Sequence, residues 1–373
     1  MKPLGLYVHI PFCAQKCGYC DFPSYEDVMP LRAEYIEKVL EEITSRADAL
    51  GHPSADTVYI GGGTPSLLQP EQIAAVLGAL RRSFQLSPDC EISCEANPGM
   101  LSDRFLAATA AGGVNRLSLG AQSAEAPLLQ SLGRRHSWAQ VGKAVGQARL
   151  AGIDNINVDL MLGIPGQTPV LWLHTLEAAL ALDVRHLSCY GLIVEEGTPL
   201  AGQIAAREVT LPDEEDERLM YALTLDRLSQ AGFVQYEISN FAKPGYACRH
   251  NLNCWRRHDY LGFGSAAHSL EGGCLRRANP QAIDDYLAGE AAGLEELDKQ
   301  ERMFESLMLG LRMTEGLDPE AFQAMHGESF YAVYGSRAQA SIGMGLAGYT
   351  NDGHFALTRQ GMDVMNTVLL DFM

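Results

Sequence analysis

The sequence has no run of about 18 apolar residues, the shortest that crosses a bilayer as a helix, so no membrane span is expected. No secretory leader is expected from its opening residues. The opening MKPLGLYVHIPF is too short and is broken by proline too early, which leaves the cytoplasm as the default compartment. Basic residues are few: 28 Lys and Arg against 46 Asp and Glu, for a net charge of −18. A surface of that sign does not neutralise phosphates, which argues against nucleic acid as a partner despite the local pair Arg134 and Arg135. The densest acidic run, 213–217, reads as the first turn of a helix, where carboxylates complement the dipole.

Cysteine is the exception to this scarcity. Nine are present, an odd number, in a 373-residue chain too long to need disulfide staples. In a reducing compartment such residues are metal ligands, catalytic groups or small buried side chains. Cys13, Cys17 and Cys20 fall within eight positions of one another, whereas Cys90, Cys94, Cys189, Cys248, Cys254 and Cys274 are scattered.

The length fits two domains, or one large and one small. Apolar residues make up 47%, enough for a sizeable core. Strand patterns at 4–10, 57–60, 91–95, 116–119, 157–162 and 186–192 alternate with amphipathic stretches at 31–50, 70–82, 102–111, 137–150, 169–182 and 214–231. Alternation of this kind implies an α/β fold with a parallel sheet, either doubly wound or a barrel. Polar or glycine-rich clusters follow nearly every strand, as they do where strand ends converge on one catalytic face. A partial (β/α)6 barrel over 1–240 is therefore expected, followed by a connecting segment over 241–295. Three helical stretches, a hairpin through Asn351 and Gly353 and a last helix over 358–372 give 296–373 as a small winged-helix-like domain, read as a structural cap.

The cluster Cys13-Ala14-Gln15-Lys16-Cys17-Gly18-Tyr19-Cys20 is C-x3-C-x2-C on a loop after the first strand. Structural zinc sites use four ligands in pairs, and ferredoxin runs supply four thiolates to each cluster. Three thiolates suit a 4Fe–4S cubane with one iron left open. An open iron can chelate the amino and carboxylate groups of a methionine-derived sulfonium, and a strongly reducing cluster can cleave that sulfonium to a 5′-deoxyadenosyl radical. Gly61-Gly62-Gly63-Thr64-Pro65, after the second strand, allows close backbone approach, with free N–H and C=O groups for such a ligand.

With these motifs the chain resembles the radical S-adenosylmethionine (SAM) family that contains HemN-type coproporphyrinogen dehydrogenases and HemW-type haem chaperones. The resemblance runs almost the full length, through YVHIPFCAQKCGYCDF, GGGTPSLL, EANPG, NRLSLGAQS, LGRRHS, NVDLMLGIPGQT, EISNFAKPG, HNLNCW and GFGSAAHS. It implies that Cys13, Cys17 and Cys20 hold the cluster and that Tyr7, Gly62 and Glu95 contact the SAM bound to it. Gly63, Thr64, Gln122, Arg134 and Asp159, with Tyr19, match a second-SAM site of the HemN type, and His268 is placed near cofactor. No residue is assigned as catalytic.

Two departures point to the HemW side: Phe22 stands where the HemN type has a fourth Cys, and the motif opens at Tyr7 without a long leading segment. The block 248–255 resembles the chaperones' H-N-x-x-Y-W signature, with Cys254 in place of Tyr. His250 and Cys254 are then the two haem ligand types on offer. There is no C-x-x-C-H motif for covalent haem. The expected function is a haem chaperone carrying a cluster, SAM and haem, and delivering haem to an acceptor protein, respiratory proteins among them. The alternative is an oxygen-independent coproporphyrinogen III dehydrogenase.

Overall fold

Six parallel strands form the centre of the molecule, in a computed structural model that describes residues 4–373. They are β1 (Gly5–Ile10), β2 (Ser54–Gly62), β3 (Gln85–Ala96), β4 (Arg116–Gln122), β5 (Asn155–Leu162) and β6 (His186–Gly191), hydrogen-bonded in chain order. Their alternation sets the layers. Leu6, Val8 and Ile10 of β1 are fully buried in the main core with Tyr35, Ile36, Val39 and Ile43 of the helix Arg32–Leu50. Tyr7 and His9 point to the opposite face, which lines cavities rather than helices. On the helical side Trp172 is fully buried, its indole N–H donating to Met220 O and Thr224 Oγ1, both at 2.9 Å. Truncating an aromatic so placed costs about 3–5 kcal/mol.

Six further strands extend this sheet at both edges, which the sequence pattern did not reveal. β7 (Val234–Glu237) and β8 (Asn240–Ala242) add antiparallel beside β6. β9 (Tyr260–Phe263) pairs parallel to β1, and β10 (His268–Glu271), β11 (Leu275–Ala278) and β12 (Gly293–Glu296) continue outward antiparallel. None of the six exceeds four residues, too short for period-2 alternation to stand out. Residues 241–295 thus carry most of the sheet beyond β1.

The acidic run lies where its charge suggests. Asp213 caps the helix Glu214–Gln230, accepting from Asp216 N at 2.8 Å, and four carboxylates fill the first turn. The C-terminal part has its own core, in which Phe322, Phe330, Phe355 and Phe372 pack between three helices and the hairpin of β13 (Ala347–Tyr349) and β14 (Phe355–Leu357). The first of those helices, Lys299–Arg312, opens on a capping box of Asp298 and Glu301. The expected last helix is two short ones, Arg359–Asp363 and Met365–Leu370, because Val364 leaves the helical region at φ −119°, ψ 28°. Ion pairs join this unit to the sheet, among them Arg256 to Glu315 at 2.9 Å and Arg312 to Glu237 at 2.7 Å. No helix among the described residues is long and apolar enough to cross a membrane.

Candidate functional site

The C-terminal ends of the parallel strands open into a cavity of about 600 Å³. The loop after β1 enters it and is tied at both ends: Cys13 N donates to Tyr25 O at 2.9 Å, and Gly18 N to Leu132 O at 3.3 Å. Cys13, Cys17 and Cys20 all line this space. Among the described residues no three His, Cys, Asp or Glu side chains are arranged around a single metal ion. A cubane does not require that arrangement, since each thiolate takes a different iron. Burial raises the thiol pKa of Cys17 and Cys20, while Arg134 pulls Cys17 down and Lys16 pulls Cys20 down. Thiols in such a place ionise fully only beside a further positive charge, which bound iron supplies. The residues present fit the cluster.

Around the cysteines stand most of the residues expected at a SAM site: Gly62, Gly63, Thr64, Glu95, Gln122, Arg134, Asp159 and Tyr19 line the same cavity. The glycine turn belongs there because nothing larger fits. Gly62 has φ 112°, and a Cβ on it would lie 2.5 Å from the His9 ring; one on Gly63 would lie 2.7 Å from Phe12 O. Two of the turn's N–H groups, expected to be free, are engaged: Gly63 N donates to Ile10 O at 2.8 Å and Gly62 N to Glu95 Oε2 at 3.1 Å. What the turn has for a ligand's amino group is carbonyl oxygen.

Glu95 also accepts from Tyr59 Oη at 2.8 Å. Burial nevertheless pushes its carboxyl up to about 7, so it exchanges a proton near neutrality. Arg134 Nη2 donates to Tyr19 Oη at 2.9 Å, and Asp159 accepts from Asn157 at 2.7 Å and Ser118 at 3.1 Å. Gln122, at φ 63°, is a non-glycine residue in the left-handed region, where the ladder between β4 and β5 shifts register. Such strain is held where a side chain must be re-aimed, and Gln122 Oε1 takes the hydroxyl of Tyr190 at 2.8 Å. Ser118 and Asn157 fall inside the blocks NRLSLGAQS and NVDLMLGIPGQT without being singled out there, and Tyr59 and Tyr190 lie outside the quoted blocks.

Tyr7 and His268 belong to the wall of a neighbouring space, and Tyr7 still feels Glu95: burial, and then that charge, raise its hydroxyl pKa. The two residues line a second cavity of about 440 Å³ together with His250 and Cys254, because β9 and β10 continue the sheet past β1. Phe22 and Pro23 line both spaces, and Phe22 is 68% exposed at their shared lip. His9 Nε2 must donate to Pro23 O, at 2.8 Å, so its Nδ1 accepts from Tyr7 Oη at 2.9 Å. The helix Arg249–Trp255 carries His250 into the wall, and Glu91 holds its first turn, accepting from Arg249 N and His250 N at 3.1 Å each.

His250 is 5% exposed, stacks on Tyr59 and shares a 3.0 Å hydrogen bond through Nδ1 with Thr57 Oγ1. Burial, and then the Arg116 charge, lower its pKa to about 4, so the imidazole is neutral at physiological pH. Cys254 stands one turn along the same helix, on the same side as His250. Burial pushes its thiol up to about 11. The pair therefore does not supply opposite axial ligands.

The fold and the three-thiol cavity define a radical SAM protein. The radical SAM superfamily model matches residues 7–179 and the HemN C-terminal domain model residues 297–364. The chain belongs to the heme chaperone HemW family. It is 36% identical to "Heme chaperone HemW" of Bacillus subtilis over 98% of both chains, and 37% identical to that of Mycobacterium tuberculosis over 99% of this chain and 94% of the relative. The solved coproporphyrinogen III oxidase (HemN) of Escherichia coli, described as a radical SAM enzyme, has the same fold at a TM-score of 0.84 and 24% identity, over 100% of this chain and 90% of that one.

One consequence of the packing is directly measurable. Gly63→Ala drives a methyl group against backbone and is expected to cost about 1–3 kcal/mol and at least tenfold in SAM affinity. Gly146→Ala, on a helix with nothing within 4 Å, should be neutral or stabilising. Thermal denaturation and SAM equilibrium binding compare the two.

Proposed function

We propose that this chain is a haem chaperone that binds haem in the second cavity, with His250 Nε2 as the iron ligand, and passes it to a haem-requiring protein. The observation that carries this reading is the neutral, buried His250 in the wall of a partly apolar cavity with its other ring nitrogen held by Thr57. Metal-bound histidines are oriented in this way: Nδ1–H donates to a neighbour and leaves the Nε2 lone pair for the metal. Burial keeps the proton from competing. The names of the curated relatives agree with the reading.

In the same proposal Cys13, Cys17 and Cys20 hold a 4Fe–4S cluster, and the residues around them hold SAM. When bound, this pair supplies one-electron cleavage of the sulfonium. The chain's own contribution is placement. Glu95 and the glycine turn form one hydrogen-bonded unit facing the cysteines, and Arg134 with Tyr19 closes the opposite side. The shared lip at Phe22 and Pro23 makes ligands in the two cavities neighbours. Residues 296–373, with a core of their own, act as a cap that contributes Glu305 and Met308 to the haem cavity.

Anaerobic reconstitution followed by haem titration tests the reading. Stoichiometric uptake with a shifted Soret band is expected, as is no decarboxylation of coproporphyrinogen III in the presence of SAM and reductant. Absence of a Soret shift, or formation of the decarboxylated porphyrinogen, overturns it.

A further inference from the structure

The wall of the His250 cavity contains two buried hydrogen-bond donors with no partner. Arg257 is 4% exposed; its Nε donates to Glu305 Oε2 at 2.9 Å and its Nη1 to Gly273 O at 2.8 Å, while Nη2 is buried and unpaired. Trp255 Nε1 is likewise buried and unpaired, its ring held beneath the Arg312 guanidinium at 4.5 Å. An unmet buried donor costs free energy, more so when it is charged, and native structures retain few of them. Both residues line a cavity whose surface is largely apolar, and each donor lies just beneath that surface.

A third donor group stands on the sheet side. Arg276 of β11 pairs with Glu305 Oε1 and lies 3.6 Å from Glu295. One carboxylate, Glu305, is thus shared by two guanidinium groups. Arg257 also breaks a local rule. It sits just past the end of the helix Arg249–Trp255 with φ 58°, a left-handed position that glycine normally fills. The strained backbone there goes with a side chain delivered to the cavity wall.

We infer that Arg257, Trp255 and Arg276 form a carboxylate anchor that receives the propionate groups of the porphyrin, with Glu305 as the internal carboxylate that holds the guanidinium groups until the ligand arrives. The inference rests on the haem reading above and adds to it. His250 fixes the iron, whereas this trio fixes the rim of the ring and sets its orientation. Arginine suits the role, because its planar fork matches a carboxylate bidentately. Since Glu305 belongs to the helix Lys299–Arg312 of the C-terminal unit, a propionate that displaces it also loosens one attachment of that unit to the sheet.

Haem and haem dimethyl ester, which share the iron and ring and differ in having charged or methylated carboxylates, separate the anchor from the iron site. The full-length reconstituted protein is expected to bind haem at least tenfold more tightly than the ester, the size of a charged hydrogen bond. Arg276→Gln should weaken haem by about that factor and leave the ester unchanged. Trp255→Phe, which keeps the ring and removes the N–H, should do the same to a smaller extent. Arg257→Lys should restore part of what Arg257→Gln loses. Retained cluster absorbance and an unchanged Soret position show that each variant is folded with its iron ligand in place. If haem and ester bind equally to the unaltered protein with a His250-dependent Soret band, the anchor is refuted and the haem site stands. If neither binds, both fall.

Discussion

Replacing Cys13, Cys17 and Cys20 together by alanine is expected to abolish iron and acid-labile sulfide from the anaerobically reconstituted protein, and with them its visible absorption. Each single replacement should come close to the same result, since each thiolate takes a separate iron and no fourth cysteine stands in reserve: position 22 is Phe. Cys90→Ala and Cys274→Ala are the controls. Neither residue lines the cavity, so both variants should keep the full cluster. The fold should survive the triple change. Cys17 and Cys20 are only half-buried, and the loop is held by main-chain hydrogen bonds to Tyr25 and Leu132 rather than by its sulfurs. Far-ultraviolet circular dichroism checks that point. Iron retained stoichiometrically in the triple variant would refute the site.

His250→Ala should have the next largest effect, removing the haem iron ligand and weakening haem at least tenfold, since even outer-sphere partners of a ligating histidine are worth about 10–100-fold. Thr57→Val, which removes only the Nδ1 partner, should fall between this variant and the unaltered protein. The pH dependence carries its own signature. A protonated imidazole cannot bind iron, and burial together with Arg116 lowers the pKa of His250 to about 4. Coordination should therefore hold from pH 8 down to about 5 and fail as the pH drops through 4. An exposed histidine, with its usual pKa of about 6.5, would begin to lose the metal near neutrality. The same sign governs stability. The unfolded chain binds a proton at His250 below about 6.5 that the folded chain refuses, so this group's contribution is complete above that pH and declines as the pH falls toward 4. A Soret titration that loses half its amplitude near pH 6.5 would count against His250 as the ligand.

Glu91 shows how such a residue is placed. It is an unremarked carboxylate in the sequence, yet from β3 it grips the first turn of the helix that carries His250, more than 150 residues further along the chain. Arg116 of β4 and Thr57 of β2 then set the charge and the tautomer of the ring. Glu91 and Thr57 belong to no quoted motif, and Arg116, inside NRLSLGAQS, carried no sign of this role.

What the sequence determined by itself is whatever depends on near neighbours or on strict periodicity. The three thiols lie on one short loop, so spacing alone brings them together. The glycine turn was recognisable because only glycine tolerates its backbone, and the six parallel strands because each is flanked by a helix of clear period. Tertiary structure alone decided what depends on strands meeting across the chain. Pairing of β9 beside β1, with β10 beyond it, set Tyr7 and His268 in the wall of the His250 cavity. It also left Arg257 and Trp255 with unpaired donors there. Short edge strands have too little periodicity to announce themselves, and a donor's lack of a partner is a property of packed space, which no linear pattern encodes.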